Sequence, residues 1–460
     1  MTIMRLSKQE IRDALKNGKI TVCVVGLGRV GLPTAVAFAK AGAQVIGADI
    51  NKNVVELIKS GGCHLRDEAG LEELVENVVK NGRLRATVNI SDAVREADVL
   101  VVCVPTPVDE NKVPDYSDVK VACHDISKTL KKGCLVIIES TVGPGTVEDL
   151  VVPSLEKGTG MKAGTDFGVA SCPERADPGK MLQHLNVVPR IVGGINEKST
   201  AVAAELYETA LGTKVVRVSS PKTANAVKLT ENLFRDVNIA LANEFAILYE
   251  KLGIDVIEVI NACATKYNFI PHYPGPGVGG PCLPQNPYYL IVEGVKVGNI
   301  PYLVRFAREI NDRMPEHVVM LVTEALNDVG KTVRGSKIAI LGVAYKPNVH
   351  DVQLTPVKKI YEHLKKMGAS VTIYDPMFEG EEVFGIRSAR NLSESIEKAD
   401  CIVIGTAHKE FHHLDLALIS QMSNMPAALV DARHVVAPSK ARDHGFAFRG
   451  VGRRHTIGPK

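Results

Sequence analysis

The segment Pro274–Pro287 holds the residues of this chain that most suggest chemistry. It reads PGPGVGGPCLPQNP, and nine of its fourteen residues are Gly or Pro. That composition favours neither a helix nor a strand and predicts a shaped loop, where sites are often found. Gly277 and Gly279 lack side chains, so a ligand could approach the backbone there. Cys282 follows, and its thiol could be a covalent nucleophile if a nearby cation favours the thiolate; simple packing is the alternative.

The other cysteines suggest packing. Cys23, Cys103 and Cys401 lie inside apolar runs, where cysteine behaves as a small hydrophobic residue. Cys172, in the motif Ser171-Cys-Pro-Glu174, could lie near a site, but the prediction for it is a packed side chain. The nine cysteines form no CxxC pair, so we expect neither a disulfide framework nor a metal site, and free thiols fit a reducing compartment.

A long helix is predicted before this segment. It begins near Ser219-Ser-Pro221, follows a helical pattern from Lys222 to about Lys251, and stops at Gly253. Lys228, Asn232 and Arg235 fall at positions i, i+4 and i+7, on one polar face. That face is either part of a site or a solvated stripe, and the helix itself could link domains and carry a dimer interface.

The opening of the chain predicts a dinucleotide site. A strand-length apolar run ends at Val25 and is followed by GLGRVG, a helical stretch to Ala41, and a second strand, Gln44–Ala48. Glycines in this pattern allow a tight turn, close approach of a pyrophosphate and close helix–strand packing. Asp49 then follows, where a carboxylate binds ribose hydroxyls and disfavours a 2′-phosphate, so NAD is favoured over NADP. The predicted contacts are Gly26, Gly28, Arg29, Val30, Gly31 and Asp49.

Two more apolar strands end in candidate ligand contacts. Ala97–Val104 precedes Pro105 and Thr106, and Cys134–Ile138 precedes a segment containing Thr141. Ligands bind at the carboxyl ends of parallel strands, so we expect Pro105, Thr106 and Thr141 to contact cofactor or substrate. The threonines could equally be N-caps of the following helices.

The last third of the chain repeats this pattern more weakly. Strands are predicted at Lys337–Gly342, Val371–Asp375 and Ala399–Gly405, but the first turn lacks the full glycine fingerprint. We therefore predict an α/β protein with two Rossmann-like doubly wound domains joined by a long central helix. The predicted domains are a dinucleotide-binding domain over 1–215, a helical linker and dimerisation domain with the cysteine loop over 216–325, and a second nucleotide-binding domain over 326–460.

Composition limits the function classes. The 460 residues include 55 Lys and Arg against 52 Asp and Glu, a net charge of +3 that does not suggest nucleic-acid binding. No apolar run reaches the roughly 18–20 residues that span a bilayer, and the polar segment Met1–Lys19 predicts an amphipathic helix. We expect a soluble, cytoplasmic protein with no membrane partner. The basic tail Arg449–Lys460 is expected to be disordered.

Seven motifs, in order, resemble the UDP-glucose/GDP-mannose dehydrogenase family of NAD-dependent nucleotide-sugar 6-dehydrogenases. They are GLGRVGLP, VPTPV, ESTVGPGT, CPERADPGK, KLTENLFRDVNIALANE, PGPGVGGPC and LGVAYKPN, within about residues 18–435. The forms RDVNIALANE and PGPGVGG are more similar to the branch acting on UDP-N-acetyl-D-mannosamine than to the UDP-glucose branch.

This resemblance implies a four-electron oxidation of the sugar C6 alcohol to a carboxylate, with two NAD per sugar. The length of the central helix, separately, leads us to expect a homodimer formed through it. Cys282 would form a thiohemiacetal and then a thioester, Lys228 would stabilise oxyanion character, and Asn232 would hold the reacting oxygen or water. Glu174 would be the acid/base carboxylate, and Thr141 would orient water. The implied contacts with the UDP-sugar are Glu174, Arg175, Lys228, Asn232, Arg235, Tyr273, Gly277, Gly279, Tyr345 and Lys346.

Three positions depart from the family pattern. Asn286 stands where an Asp usually follows the cysteine, and asparagine can hydrogen bond but cannot accept a proton as a base. Gln353 replaces an Arg expected near the cofactor, and Pro281 replaces a His common in this branch. UDP-glucose oxidation and a catalytically weak NAD- and nucleotide-sugar-binding relative therefore stay open, as does a two-electron hydroxyacid dehydrogenase.

Overall fold

A computed structural model describes residues 2–65, 67–176 and 181–453. The chain forms two compact units. The first unit is Met1–Glu231 with Tyr288–Ile300, and the second is Asn232–Pro287 with Pro301–Lys460.

The first unit is built on an eight-stranded sheet flanked by helices. Its helices up to residue 211 are α1 (Lys8–Lys16), α2 (Gly31–Lys40), α3 (Lys52–Lys59), α4 (Leu71–Lys80), α5 (Ile90–Glu96), α6 (Ser117–Ser127), α7 (Val152–Thr159), α8 (Met181–Leu185) and α9 (Glu197–Leu211). Its strands are β1 (Thr21–Val25), β2 (Gln44–Ala48), β3 (Leu84–Thr87), β4 (Val99–Val102), β5 (Leu135–Ile138), β6 (Gly168–Ser171), β7 (Arg190–Gly194) and β8 (Val215–Arg217).

The strand order is that of a dinucleotide-binding fold. The sheet runs β3-β2-β1-β4-β5-β6-β7-β8, and the first six strands pair in parallel. β6 and β7 are antiparallel, and β7 and β8 are parallel. The order reverses between β1 and β4, and ligands bind at such a switch point. β4, β5 and β6 are buried along their whole length, as expected when helices cover both faces of a sheet, whereas β3 and β8 carry exposed residues.

The predicted amphipathic helix near the start is confirmed as α1. Ser7 caps it, with its side chain accepting from the Glu10 N–H and the Glu10 side chain accepting from the Ser7 N–H. Ile11 and Leu15 are buried, while Arg12 forms an ion pair with the buried carboxylate of Glu205 on α9. The helix therefore packs its apolar side into the core of the first unit.

The second unit holds a five-stranded sheet, a short antiparallel strand pair and most of the long helices. Its remaining elements, with the two helices that the division crosses, are α10 (Pro221–Leu252), α11 (Val256–Cys263), α12 (Asn286–Lys296), α13 (Tyr302–Asp328), β9 (Lys337–Leu341), α14 (Pro356–Lys366), β10 (Ser370–Tyr374), β11 (Glu382–Val383), β12 (Ile386–Arg387), α15 (Leu392–Ile396), β13 (Cys401–Ile404), α16 (Leu416–Met422), β14 (Ala428–Asp431), α17 (Pro438–Asp443) and β15 (Ala447–Gly450). The division between the units falls inside α10 and α12.

The second sheet is also doubly wound. Its order is β10-β9-β13-β14-β15, and every pairing is parallel. In chain order this is 2-1-3-4-5, the other common arrangement of nucleotide-binding sheets. The prediction of two Rossmann-like domains and a long central helix is thus confirmed, whereas the boundaries 1–215, 216–325 and 326–460 stay predictions.

The long helix has the length that its pattern predicts. α10 contains 32 residues and is therefore about 48 Å long. Gly253 follows with φ +69°, the left-handed conformation that commonly ends a helix.

The expectation of a disordered tail is wrong for its described part. Arg449 lies in β15, and its guanidinium binds Glu324 and Asp328 of α13. Residues 454–460 lie outside the described residues, as do Asp177–Lys180 of the CPERADPGK motif. Within the described part of the chain, none of the helices combines the length and apolar character that crossing a bilayer requires.

Candidate active site

The turn after β1 has the shape that a dinucleotide requires. Gly26 has φ +91°, and a Cβ there would lie 2.7 Å from the Cys103 carbonyl oxygen. A Cβ on Gly31 would lie 1.8 Å from the Gly26 carbonyl oxygen, so only glycine lets α2 begin this close to the strand. A Cβ on Gly28 would meet no protein atom within 4 Å, and Gly28 is therefore the point where a phosphate can approach the backbone.

The ribose-binding carboxylate is fixed beside this turn. Asp49 Oδ2 accepts from the Leu27 N–H at 2.7 Å, and Oδ1 accepts from the Asn51 N–H at 2.8 Å. Arg29 forms an ion pair with Asp67 at 2.7 Å, and Val30 precedes the first turn of α2. The open backbone at Gly28, the N-terminus of α2 and the held Asp49 carboxylate together fit NAD.

The strand-end threonines are brought together, as parallel pairing of β4 and β5 requires. Thr106 Oγ1 donates to the Thr141 carbonyl oxygen at 2.8 Å, and the Tyr289 hydroxyl donates to the Thr106 carbonyl oxygen. Neither threonine is an N-cap: Tyr116 precedes α6, and Thr146 precedes the π-helical turn Val147–Val151. Pro105, next to Thr106, is exposed. Contact of these residues with the cofactor stays a prediction.

Glu174 is a buried, ionised carboxylate in the first unit. One oxygen accepts from the N–H groups of Arg175 (2.6 Å) and Ala176 (2.5 Å), and the other pairs with Arg190. Burial raises the pKa of Glu174, but Arg190, these hydrogen bonds and Lys228 outweigh it and lower the pKa below its ordinary value. A carboxylate held in this state can act as a base.

Lys228 contributes a charge to the same unit. Its residue is 8% exposed, and no hydrogen bond or ion pair engages its ammonium group among the residues that the structure describes. An ammonium group at the end of such a largely buried side chain is suited to stabilising negative charge on a ligand oxygen. Arg175, in contrast, is engaged by Glu231 and the Pro189 carbonyl oxygen, and Arg235 is exposed.

Cys282 belongs to the second unit and is half-buried. Its carbonyl oxygen accepts from the N–H groups of Gln285 (3.1 Å) and Asn286 (2.9 Å), which turn the chain into α12. The Asn232 amide donates to Asn286 Oδ1, and both side chains are buried. The structure therefore brings together three of the predicted catalytic residues, Cys282, Asn286 and Asn232.

The glycines near Cys282 allow close packing within the second unit. A Cβ on Gly277 would lie 3.0 Å from the Asn311 carbonyl oxygen, and one on Gly279 would lie 2.9 Å from the Leu354 carbonyl oxygen. The Tyr345 ring covers Gly280, where a Cβ would lie 2.6 Å from the ring. The space in the Cβ direction is thus filled by this chain itself, which corrects the reason that we gave for these glycines; substrate contact through Gly277 and Gly279 stays a prediction.

Buried polar side chains hold the start of this segment, and our sequence analysis missed them. Asn243 Oδ1 accepts from the Gly275 N–H at 2.9 Å, and its amide donates to Asn311 Oδ1 at 2.8 Å. Asn311 in turn donates to Asp236, which pairs with Arg308. The available signal was an asparagine on the inner face of a long helix, in the motif ALANE.

The remaining predicted substrate residues lie in the second unit. The Tyr273 hydroxyl donates to Asn261 at 2.9 Å. Tyr345 and Lys346 are half-buried. The Gln353 side chain is exposed, and its carbonyl oxygen accepts from the Gly280 N–H at 2.9 Å. Their contact with ligands stays a prediction.

The other cysteines mostly have the environment of packed thiols. Burial raises the pKa of both Cys23 and Cys172 to about 12, so neither forms thiolate near neutral pH. Cys401 is fully buried as well, and Cys263 is exposed on α11. Across the described residues, no group of three or more His, Cys, Asp and Glu side chains could hold a metal ion.

Taken together, the fold and these sites define a dehydrogenase that uses NAD. Three sequence models of one family match the chain: the NAD binding domain over 20–211, the central domain over 222–313, and the UDP binding domain over 339–438. The chain belongs to the UDP-glucose/GDP-mannose dehydrogenase family and is an NAD-dependent nucleotide-sugar dehydrogenase, with a UDP binding domain that indicates a UDP-sugar substrate.

Known proteins of this family are similar over nearly the whole chain. The UDP-N-acetyl-D-mannosamine dehydrogenase of Pyrococcus horikoshii is 38% identical over 94% of this chain and 99% of its own. The UDP-N-acetyl-D-glucosamine 6-dehydrogenase of Pseudomonas aeruginosa is 34% identical over 92% of this chain and 98% of its own. A solved structure of the P. horikoshii UDP-D-ManNAc dehydrogenase covers 95% of this chain and 100% of its own, with 36% identity and a TM-score of 0.88.

Proposed function

We propose that this protein oxidises a UDP-N-acetylhexosamine, UDP-N-acetyl-D-mannosamine in particular, at C6 to the uronic acid. The name of the P. horikoshii relative supports the sugar, because that protein is similar to this chain from end to end. The observation that carries the chemistry is Cys282, a half-buried thiol in a tightly packed segment next to the buried Asn232–Asn286 pair. NAD, held at the fingerprint turn, accepts a hydride in each of two oxidations.

Cys282 keeps the half-oxidised sugar attached between these oxidations. Its sulfur adds to the C6 aldehyde and gives a thiohemiacetal, whose oxidation leaves a thioester on the same sulfur. Water then cleaves the thioester, releasing the carboxylate and restoring the thiol. Covalent attachment prevents loss of the aldehyde. A non-covalent site could release the aldehyde after the first oxidation and would then have to bind it again for the second.

Lys228 and Asn232 stabilise the oxygen on C6. They lie four residues apart on α10 and hence on one helix face. A buried ammonium group and an amide whose position is fixed by Asn286 can meet negative charge without reorganising first.

Glu174 supplies the base for thioester hydrolysis, and Thr141 orients the water. Asn286 cannot take this part because an amide does not accept a proton at neutral pH. Glu174 is buried and ionised at neutral pH, so it can accept a proton from water, and its lowered pKa makes it a weaker base than an ordinary glutamate.

A panel of UDP- and GDP-sugars with NAD tests the substrate and the reaction together. We expect UDP-N-acetyl-D-mannosamine to give the acid and two NADH per sugar. One NADH with free aldehyde would remove the thioester step. Preference for UDP-glucose would assign the other branch, and binding without any NADH would assign a catalytically weak relative, which Asn286 and Gln353 motivate.

Replacing the thiol tests Cys282 itself. We expect Cys282→Ala to stop acid formation, whereas Cys263→Ala, an exposed cysteine on α11, should leave it unchanged. Mass spectrometry of the wild-type protein quenched during turnover should find the sugar attached to Cys282. An unchanged yield of acid in the Cys282 variant would exclude the nucleophile.

We also propose a homodimer formed through α10. Phe234, Leu241, Phe245, Leu248 and Leu252 are exposed large apolar side chains on this helix. Their spacing of seven, four, three and four residues places them along one stripe. A long apolar stripe of this kind marks an association surface.

We propose a cytoplasmic location as well. Nine free cysteines support it, because that compartment keeps thiols reduced.

A further inference from the structure

A single buried guanidinium group faces two carboxylates in the first unit. Arg190, the first residue of β7, is 1% exposed. Its Nη1 pairs with Glu174, its Nη2 pairs with Glu139, and Nη2 also donates to the Cys172 carbonyl oxygen at 3.1 Å. The guanidinium carbon lies 5.2 Å from the centre of the Tyr207 ring, which closes the cluster on that side.

Glu139 is held from several elements. It follows β5 and accepts from Thr34 of α2 at 3.0 Å, from the Cys103 thiol at 3.1 Å, and from the Tyr207 hydroxyl of α9 at 3.2 Å. Burial raises the pKa of Glu139, Arg190 lowers it and Glu174 raises it, with a net increase. Arg190 therefore stabilises the ionised form of Glu139, but Glu139 is still harder to ionise than an exposed glutamate.

Glu174 depends on Arg190 more directly. Its first oxygen is occupied by two backbone N–H groups, and its second oxygen has Arg190 as its partner. The other charged groups that face it are Lys228 from α10, Glu139 from the end of β5, and the adjacent Arg175, whose guanidinium is engaged by Glu231. Cys172 adds a thiol that burial keeps neutral.

We propose that Arg190 is a positioning residue for which Glu139 and Glu174 compete, so that this buried pair sets the protonation of Glu174. The inference rests on the proposed function in one respect, the role of Glu174 as the base. It assigns to Arg190 and Glu139 a part in the reaction although neither needs to touch the substrate. One guanidinium group shared by two buried carboxylates cannot neutralise both, and any change at one carboxylate is felt at the other.

The competition predicts opposite effects of two substitutions. Arg190→Gln removes the positive charge, so the pKa of Glu174 should rise and the acidic limb of the pH–rate profile should move to higher pH. Glu139→Gln removes a negative charge, so Arg190 then pairs with Glu174 as its single anionic partner in this cluster. The pKa of Glu174 should therefore fall, and the acidic limb of the pH–rate profile should move to lower pH. A purely structural role would lower the rate of both variants without opposite movements.

The experiment is the pH profile of acid formation for both variants, with Arg190→Lys as the conservative one. At the acidic end of the profile we expect Arg190→Gln to lose about tenfold or more relative to the wild type, and Arg190→Lys to recover part of that loss. Arg12→Gln is the matched control, because it breaks another ion pair to a buried glutamate without touching this cluster. It should leave the profile in place.

Infrared difference spectra keep the inference separate from the proposed function. The difference between the pH titrations of the wild type and of Glu174→Gln reports the ionisation of Glu174 without any turnover. If Glu174→Gln retains full activity, the proposed role of Glu174 fails, while the spectra still test its coupling to Arg190. Movement of both profiles or titrations in one direction, or no movement in Glu139→Gln, overturns the competition; if Arg190→Gln does not fold, Glu139→Gln decides alone.

Discussion

At the scale of single residues, Asn286 stands where the family resemblance led us to expect an aspartate. Its side-chain oxygen accepts from Asn232, and its N–H binds the Cys282 carbonyl oxygen, so the position is structurally intact. An aspartate there could accept a proton, but an asparagine cannot. The substitution therefore preserves geometry and removes one ionisable group near the proposed nucleophile.

Restoring that group should accelerate the last step. We expect Asn286→Asp to hydrolyse the acyl-enzyme faster by about tenfold or more, because general-base assistance contributes at least that much. Rapid-quench mass spectrometry would show less sugar on Cys282 during turnover than in the wild type. Equal accumulation in both proteins would mean that hydrolysis does not use this position.

At the scale of elements, the fingerprint turn separates two kinds of glycine. Gly31 is required for packing, because any Cβ would overlap the Gly26 carbonyl oxygen, whereas Gly28 has free space around it. Both glycines belong to one motif, yet only the three-dimensional turn distinguishes what each one does.

This distinction predicts different defects. Gly31→Ala should lower the free energy of unfolding of the first unit by about 3 kcal/mol or prevent folding, because backbone must move. Gly28→Ala should leave the thermal midpoint nearly unchanged and weaken NAD binding about tenfold or more, measured by calorimetry. If Gly28→Ala bound NAD normally, the phosphate would not approach at Gly28.

The helices α10 and α13 position the segment that carries Cys282. Asn243 and Asn311 bridge α10, α13 and Gly275 through buried hydrogen bonds. A bridge of this kind fixes one end of the segment, so its loss should be felt at the thiol.

We expect Asn243→Ala to slow acid formation about tenfold or more while NAD affinity stays unchanged, because small displacements of a reacting group are costly. Removing a buried partner should also lower the free energy of unfolding by about 1–3 kcal/mol. Asn238→Ala is the matched control on the same helix, where the amide donates to the Phe234 carbonyl oxygen of that helix itself. Equal losses in both variants would contradict the anchoring role.

At the scale of the whole molecule, the two doubly wound sheets use matching carboxylates differently. Asp49 follows β2 and binds two N–H groups. Asp375 follows β10 and binds the N–H groups of Val343 and Ala344, but it also accepts from His408 at 3.0 Å and is fully buried. The second carboxylate is occupied by its own domain, and this agrees with the missing glycine fingerprint in the first turn of that sheet.

Asp375 should make the stability of the second unit depend on pH. Burial raises the pKa of Asp375, but His408 and the backbone hydrogen bonds outweigh it and lower the pKa. A lowered pKa in the folded state stabilises the fold above the ordinary pKa of aspartate, and this stability is lost as the pH falls through the lowered value. Asp375→Asn should cost about 2 kcal/mol at neutral pH, and the difference should shrink on acidification. Hydrogen exchange of β10 and β13 measures this, and a constant difference would contradict it.

The apolar stripe on α10 should control assembly. Leu248→Glu places a charge on the stripe, and we expect it to convert the proposed homodimer to a monomer in sedimentation experiments. Glu244→Lys, a charge change on the same helix, is the control. A Leu248→Glu variant that sediments like the wild type would locate the interface elsewhere or remove it.

The sequence by itself determined the features that are local in the chain. The fingerprint turn, Asp49, the two sets of apolar strands, the long helix and the Cys282 segment could all be predicted, because their signals lie in short stretches with fixed spacing. Only the tertiary structure brought Glu139, Glu174 and Arg190 together, placed Asn243 against Gly275, and showed that the glycines near Cys282 pack against Tyr345 and Leu354. The reason is physical: contacts between distant residues depend on strand order and helix packing, which spacing along the chain does not encode.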